Sequence, residues 1–338
     1  MNILAVESSC DETAVSIVRD GREVLTDCIA SQVALHREYG GVVPEIASRK
    51  HIEAIYALAD QALENAGLTR SDIDAVAVTY APGLIGAVLV GVNFAKAAAM
   101  ALNKPLIPVH HIRGHIAANY IAYPELEPPF LCLVVSGGHT MIIEVKDYTD
   151  MRILGTTLDD AAGECFDKVG RVLGMPYPGG AALDKAARQG DETKYHLPVA
   201  KPGENPYNMS FSGLKTATLN LIHHAEQVGE ELDIPSLCAS FTAAVSETLV
   251  PRVVRALEET GYKKVAVAGG VAANSRIRKD ILEAAEKLDA KVYMPPLSLC
   301  GDNGAMIGAQ AYYEYLAGNI ADMSLNAYAT KSILGESV

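Results

Sequence analysis

The residues in this 338-residue chain best suited to chemistry are two histidines, a scatter of carboxylates and three glycine-containing turns. His111 and His115 form an H-x-x-x-H spacing. On a helix, positions i and i+4 share a face and can present two imidazoles to one metal ion. In the H-E-x-x-H peptidase pattern, the residue after the first histidine is the glutamate that serves as base. Ile112 stands there, so peptidase chemistry lacks its base. Two histidines at this spacing are by themselves ordinarily packed or solvated side chains. They become a metal site only if the fold brings a third ligand.

The turns point to an anionic ligand. Glu7-Ser8-Ser9-Cys10-Asp11-Glu12-Thr13 and Ser136-Gly137-Gly138-His139-Thr140 each place small residues and hydroxyls between two apolar segments. Backbone N–H groups in such turns can face a phosphate, and glycine allows its close approach. One such turn is an ordinary polar hairpin; two at equivalent places favour a nucleotide. The third, Gly269-Gly270-Val271-Ala272-Ala273-Asn274, ends an apolar segment and opens a helix, where orphan N–H groups and the helix dipole favour an anion. Asn274 reads equally as a plain N-cap. Asp11, Glu12, Asp159, Asp160, Glu164, Asp167 and Asp184 form an acidic set, some of them helix caps or solvated groups. Lys185, Arg188, Lys194, Lys201 and Lys215 form the densest basic stretch, a solvated face or a local nucleic-acid contact.

The elements that must position these residues alternate between strand and helix. Strands are expected at 2–6, 13–18, 75–80 and 106–109, with helices at 44–66 and 86–102. The order returns later: strands at 130–135, 140–145, 265–268 and 291–294, and a helix at about 274–288. Both halves read hairpin, insert, strand, glycine-containing loop, helix, strand, a weak internal repeat in pattern. Two similar α/β halves around a cleft are expected. His111 follows one strand of the first half, and Asp302 follows the corresponding strand of the second. If a pseudo-twofold axis relates the halves, these ends meet across the cleft. His111, His115 and Asp302 then make a two-histidine, one-carboxylate site for Fe(II), Zn(II) or Mn(II). The domains are expected at 1–128 and 129–302, with a helical insert at about 147–261 and residues 303–338 packing back on the first. Pro202 to Pro206 reads as a loop, and Pro251 as a kink or break in a helix spanning 236–259.

Composition agrees with this class. Hydrophobic residues make up 49 % of the chain, enough for one large core or two ordinary ones. Tryptophan is absent and aromatics are 6 %, so the core rests on Ala, Val, Ile and Leu. The net charge of −13 excludes a globally basic nucleic-acid binder, so a small substrate or basic partners are expected. Six scattered cysteines without a C-x-x-C pair read as reduced thiols. The N-terminus lacks a basic signal-like region, and Ile85 to Leu102 contains Asn93 and Lys96. A buried helix, no membrane association and a cytoplasmic location are expected.

The two hairpin turns and the Gly269 loop, in this order, match the nucleotide site of the actin, Hsp70 and sugar-kinase (ASKHA) fold. More specifically, the chain resembles the tRNA threonylcarbamoyladenosine synthases, once described as O-sialoglycoprotein endopeptidases. The matching stretches are LAVESSCDET (4–13), GGVVPEIASRKHIE (40–53), APGLIG (81–86), HHIRGH (110–115), VVSGGHT (134–140), DDAAGECFDKVG (159–170), YPGGAALD (177–184), SFSGLKT (210–216), AGGVAAN (268–274) and CGDNGAM (300–306). They cover nearly the whole chain in order. Cys165 stands where the family often has Ala or Ser, and Ala181 where it often has Pro; neither is a polar ligand position.

The resemblance implies that His111, His115 and Asp302 bind one divalent metal, Fe(II) or Zn(II), with Fe favoured. It implies that Val134, Val135, Ser136, Gly137 and Gly138 contact a bound adenylate, as do Asp167, Gly180, Asp184 and Asn274, and that Asp11 and Glu12 lie near the reacting centre. The implied reaction moves a threonylcarbamoyl group from threonylcarbamoyl-AMP to the exocyclic amine of the adenosine just 3′ of the anticodon in tRNAs reading ANN codons. ATP or ADP is an alternative occupant of the nucleotide site. The implied partners are the tRNA anticodon loop and, in a bacterium, an inactive paralogue of the same fold (TsaB-like) and a small ATPase (TsaE-like). The competing readings are an ASKHA-type ATPase or kinase and an ATP-bound scaffold without catalysis. The distant carboxylate beside H-x-x-x-H disfavours both.

Overall fold

The structure, a computed structural model, describes residues 1–201 and 203–334. Pro202, within the loop expected at 202–206, and residues 335–338 lie outside the described residues. In chain order the elements are β1 (Asn2–Glu7), β2 (Glu12–Arg19), β3 (Glu23–Ser31), α1 (Val33–Arg37), α2 (Pro44–Ala66), β4 (Ala75–Ala81), α3 (Ile85–Leu102), β5 (Leu106–His110), α4 (His111–Ala122), β6 (Phe130–Val135), β7 (Thr140–Val145), β8 (Met151–Thr156), α5 (Ala162–Val172), α6 (Gly179–Ala187), α7 (Ser212–Val228), α8 (Ile234–Thr260), β9 (Lys264–Ala268), α9 (Ser275–Glu286), β10 (Lys291–Tyr293) and α10 (Gly304–Leu316).

The chain forms two compact units. The first comprises residues 1–128, 146–151 and the chain from Pro295 on; the second comprises 129–145 and 152–294. Residues 295–302, read from sequence as part of the second half, therefore pack in the first.

The first unit carries a five-stranded sheet in the order β3-β2-β1-β4-β5. β1 pairs antiparallel with β2 and parallel with β4, and β4 pairs parallel with β5. Alternate residues of the central strands feed two cores, as the two-residue period of a strand requires. Leu4, Val6, Val76 and Val78 pack with Ile55, Leu58, Val88 and Val92 of α2 and α3. Ile3, Ala5, Ala75 and Ala77 pack on the other face with Ala118 of α4 and with Met306, Ile307 and Ala311 of α10. Burial on both faces is why these strands are apolar along their length.

The second unit repeats the topology in the order β10-β9-β6-β7-β8. Here β6 pairs antiparallel with β7 and parallel with β9, and β9 pairs parallel with β10. The repeat read from the pattern is a repeat of sheet topology. Its third hairpin strands, β3 and β8, were not legible. β3 alternates buried and exposed residues without a clean period, and β8 carries Arg152 and Gly155. Pro251 does not break α8, which runs continuously through it. Pro251 is exposed, while Leu249, Arg252 and Val253 beside it are buried and hold the helix in place.

Both α3 and α8 are long and apolar enough to cross a membrane by length and composition. α3 packs one face on β4 and α2 and leaves Ile85, Leu89 and Met100 exposed, so the helix expected to be buried is only partly so, whereas α8 is largely buried against α6 and α9.

Candidate metal centre and nucleotide loops

The first unit brings His111, His115 and Asp302 together. α4 begins at His111, with His110 as its N-cap accepting from the Ile112 N–H. One helical turn then sets the His115 ring 4.5 Å from that of His111, edge to face at 77°. Asp302 lies just before α10, whose N-cap Asn303 accepts from the Met306 N–H at 2.8 Å. Asp302 Oδ1 is 3.5 Å from His111 Nε2 and 3.3 Å from His115 Nε2. One ligand atom from each residue lies within 4.8 Å of the others. The sequence reading expected these groups to meet across a cleft; all three belong to one unit, because the chain returns to it at Pro295.

This donor set fits a divalent metal. Two imidazole nitrogens and one carboxylate form a face with open positions. His115 is 1 % exposed, yet neither of its ring nitrogens has a hydrogen-bond partner of good geometry. A buried polar group without a partner is costly, and a metal at Nε2 removes that cost for this nitrogen.

Glu7, Ser9 and Thr79, to which the sequence reading gave no role at the metal, stand behind His111: Glu7 and Ser9 face its Nδ1, and Thr79 holds Glu7. Glu7, at the end of β1, is fully buried. Its Oε2 accepts from Thr79 Oγ1 at 2.6 Å and lies 3.0 Å from His111 Nδ1. Its Oε1 accepts from the Ser9 N–H at 2.5 Å, and Ser9 Oγ is 3.2 Å from His111 Nδ1. A carboxylate at the end of a strand buried on both faces needs partners, but only the folded sheet shows which ones. Burial lowers the pKa of His111, but the Asp302 and Glu7 carboxylates outweigh it and raise the value to about 9 in the metal-free chain. Burial likewise raises Glu7, but the charge and hydrogen bond of His111, helped by Thr79, hold it below the ordinary value.

The turn after β1 carries Asp11 and Glu12. Burial, then the Asp11 and Asp302 carboxylates, raise the pKa of Glu12 to about 9 in the metal-free chain. The same influences push the Cys10 thiol well up, which disfavours a thiolate nucleophile. Helix α2 pins the turn: His51 Nε2 donates to the Cys10 carbonyl at 2.9 Å, and Nδ1 accepts from the Thr13 hydroxyl at 2.7 Å. All six cysteines are free thiols.

The second unit gathers the nucleotide-loop candidates. The β6–β7 turn is closed by the Ser136 N–H donating to the His139 carbonyl at 2.8 Å. The start of α5 lies directly against it. The Gly163 and Glu164 N–H groups donate to the Ser136 and Gly137 carbonyls, and a Cβ on Gly163 would fall 2.5 Å from Ser136 O. Gly269 has φ +93°, and a Cβ there would fall 2.5 Å from Val135 O, so the Gly269 loop lies against the end of β6. Asp167 Oδ1 accepts from the Gly179 and Gly180 N–H groups at 2.7 and 3.4 Å and caps α6. Asn274 caps α9, accepting from the N–H groups of Arg276 and Ile277 at 3.0 and 3.1 Å. Val134, Val135, Ser136, Gly137, Gly138, Asp167, Gly180, Asp184 and Asn274 all belong to the second unit, on the end of β6, the turn after it, α5, α6 and the start of α9.

Other members of the acidic and basic sets have local work. Asp159 accepts from the Phe211 and Ser212 N–H groups and both flanking serine hydroxyls, at the start of α7. Asp160 pairs with Lys168 and Lys215, and Lys194 with Asp233.

Two repeated α/β units with hairpin and helix-start loops define an actin/Hsp70/sugar-kinase type of protein. Solved structures agree on the fold. Component A of (R)-2-hydroxyglutaryl-CoA dehydratase from Acidaminococcus fermentans matches with TM-score 0.53 and 16 % identity over 94 % of this chain and 99 % of its own. Full-length HypF matches with TM-score 0.64 and 15 % identity over 98 % of this chain and 47 % of its own. Within that class, the TsaD family model, described as tRNA N6-adenosine threonylcarbamoyltransferase, matches residues 23–309. A protein of that name from Moorella thermoacetica is 56 % identical over 326 residues, 96 % of this chain and 95 % of its own. One from Clostridium perfringens is 53 % identical over 325 residues, 96 % of each chain. The chain belongs to the tRNA N6-adenosine threonylcarbamoyltransferase family and is a transferase acting on tRNA.

Proposed function

We propose that this chain transfers the threonylcarbamoyl group of threonylcarbamoyl-AMP to the N6 amine of the adenosine just 3′ of the anticodon in tRNAs reading codons that begin with A. The amine nitrogen attacks the carbamoyl carbon, the bond from that carbon to the phosphate oxygen breaks, and AMP leaves. The amine proton passes to a base, for which Asp11 and Glu12 are the candidates. The Ser136–Gly138 turn, the Gly269–Asn274 loop, Asp167, Gly180 and Asp184 hold the adenylate.

The observation that carries the reading is the His111, His115 and Asp302 cluster in a chain of this family. It supports a divalent metal, Fe(II) or Zn(II), which when bound supplies Lewis acidity toward the carbamoyl group. The chain's own residues orient the donor and exclude water. The target base lies in a single-stranded loop, so little pairing must be broken to present it.

The net charge of −13 supports a division of labour in which partner proteins supply tRNA contacts: a paralogue of the same fold and a small ATPase. Ile52 and Tyr56 stand exposed on α2, which supports protein docking there. A reconstituted assay tests the proposal, combining this chain, threonylcarbamoyl-AMP, unmodified tRNA and partners, with nucleoside mass spectrometry as readout. Product that depends on this chain and on His111 is expected. No product, with partners proven active on a related transferase, would favour a non-catalytic nucleotide-bound scaffold.

A further inference from the structure

We propose that Glu7 is the positioning residue of the metal centre: it holds His111 in the tautomer that carries its proton on Nδ1, so that Nε2 is bare and aimed at the metal. The inference rests on the metal reading of His111, His115 and Asp302.

The geometry separates the two ring nitrogens of His111. Nδ1 faces Glu7 Oε2 at 3.0 Å, and Nε2 faces Asp302 Oδ1 at 3.5 Å. A carboxylate only accepts, so an Nδ1 beside it must donate. The neutral ring then has its lone pair on Nε2, the nitrogen in the ligand cluster. Glu7 cannot turn away. Oε1 is held by the Ser9 N–H, Oε2 also takes the Thr79 hydroxyl, and the side chain is 0 % exposed. β1 and β4, the two central parallel strands, supply Glu7 and Thr79, so the acceptor stands on the most rigid part of the unit.

His115 has no such orienting carboxylate, and neither of its nitrogens is hydrogen bonded. The centre therefore has one histidine fixed from behind and one set only by packing. A metal-ligating histidine whose other nitrogen donates to a carboxylate binds more tightly, and loss of the outer partner weakens metal binding about 10–100-fold.

Glu7→Gln keeps volume but replaces one acceptor oxygen with a donor. With its oxygen toward His111, its amide meets the Ser9 N–H donor; reversed, it meets Nδ1–H. Competition with a coloured chelator measures zinc affinity in wild type, Glu7→Gln, Ser9→Ala and His115→Ala. The expectation is a loss of about 10–100-fold in Glu7→Gln. For Ser9→Ala, which removes a hydroxyl and keeps the carboxylate, the loss stays below about threefold.

A folded Glu7→Gln within about twofold of wild type overturns the proposal. If wild type binds zinc no more tightly than His115→Ala, the metal reading itself fails, and the proposal with it. Should Glu7→Gln not fold, 15N NMR of histidine-labelled, zinc-loaded wild type decides. His111 protonated at Nδ1 with Nε2 metallated supports the proposal; the opposite tautomer overturns it.

Discussion

Asp184 Oδ1 accepts two hydrogen bonds from Ser275, one from its backbone N–H at 2.9 Å and one from its hydroxyl at 2.7 Å. One carboxylate oxygen on α6 thereby fixes the first residue of α9, directly after the Gly269–Asn274 loop. The other oxygen takes Arg188 Nη2 at 2.6 Å. A residue proposed to contact the adenylate is therefore also a clamp on the loop that does so.

The clamp gives the first prediction. Asp184→Ala leaves the half-buried Ser275 donors without their acceptor, at a cost of about 1–2 kcal/mol in urea unfolding. Ser275→Ala removes only the hydroxyl bond and costs about 1 kcal/mol. Nucleotide affinity by titration calorimetry falls in Asp184→Ala by more than in Ser275→Ala, because the loop loses its anchor as well as a contact. Equal unfolding midpoints for Asp184→Ala and wild type would contradict the clamp.

The orphaned nitrogens of His115 give the second. His115→Ala removes a buried polar group that gains no hydrogen bond in the metal-free chain. The lost packing is offset by the lost polar burial, so the metal-free variant unfolds within about 1 kcal/mol of wild type. Transfer activity is abolished in His115→Ala and in Asp302→Ala. Circular-dichroism melts beside the modification assay check both halves of the expectation, and full activity in either variant refutes it.

Metal content follows from the same cluster. A ligand bound only by the folded chain stabilises it by about 2.7 kcal/mol at a hundredfold excess over its dissociation constant. Zinc added to the chelator-stripped protein raises the melting temperature of wild type, and this shift is lost in His111→Ala. An identical shift in both would place the metal elsewhere.

Why so much of this was legible lies in the burial pattern. β1, β4, β6 and β9 are buried on both faces, so each reads as an apolar run, and Pro82, Pro129 and Gly269 mark the ends of the last three. The bounds of α2, read as 44–66, match because proline starts it and a left-handed Gly67, φ +64°, ends it. His111 and His115 were legible through helical spacing. Glu7 was not, because its role depends on Thr79 and His111, which only the folded sheet brings to it. Asp302 was legible as a neighbour of the two histidines but not as a member of the first unit. No local signal marks the chain's return at Pro295, which depends on α10 packing against β1 and α4.

Charge supplies the fourth prediction. With Asp and Glu outnumbering Lys and Arg by 41 to 28, few phosphates can be neutralised by this chain alone. In gel-shift titration at physiological salt, the isolated chain binds tRNA weakly, and partners restore affinity with a steeper salt dependence. Tight binding without partners would contradict this and point to a concentrated basic face.

The last prediction concerns the helix that carries both histidines. Arg113 lies between them on α4, and its Nη1 pairs with Glu314 of α10 at 2.8 Å. Its Nε and Nη2 donate to the Ile333 carbonyl at 3.2 and 2.9 Å. The two side chains are only 14 % and 5 % exposed. Glu314 also accepts from Gln310 at 2.9 Å and Asn319 at 2.6 Å, so the carboxylate is well held but depends on Arg113 for its counter-charge. Arg113→Met strands that charge and costs about 3 kcal/mol. Glu314→Leu alone strands the guanidinium, which keeps the Ile333 carbonyl and costs less. The double variant replaces the pair with apolar groups and recovers most of the loss, because a buried ion pair seldom outperforms a hydrophobic contact of similar volume. Urea unfolding of all four proteins yields the coupling energy, expected above about 1 kcal/mol. Zinc affinity measured on the same set separates the pair's two effects. If α4 is held in register by this pair, Arg113→Met binds zinc more weakly and the double variant recovers it. Additive destabilisation with unchanged zinc affinity would show that the pair neither couples nor positions the helix.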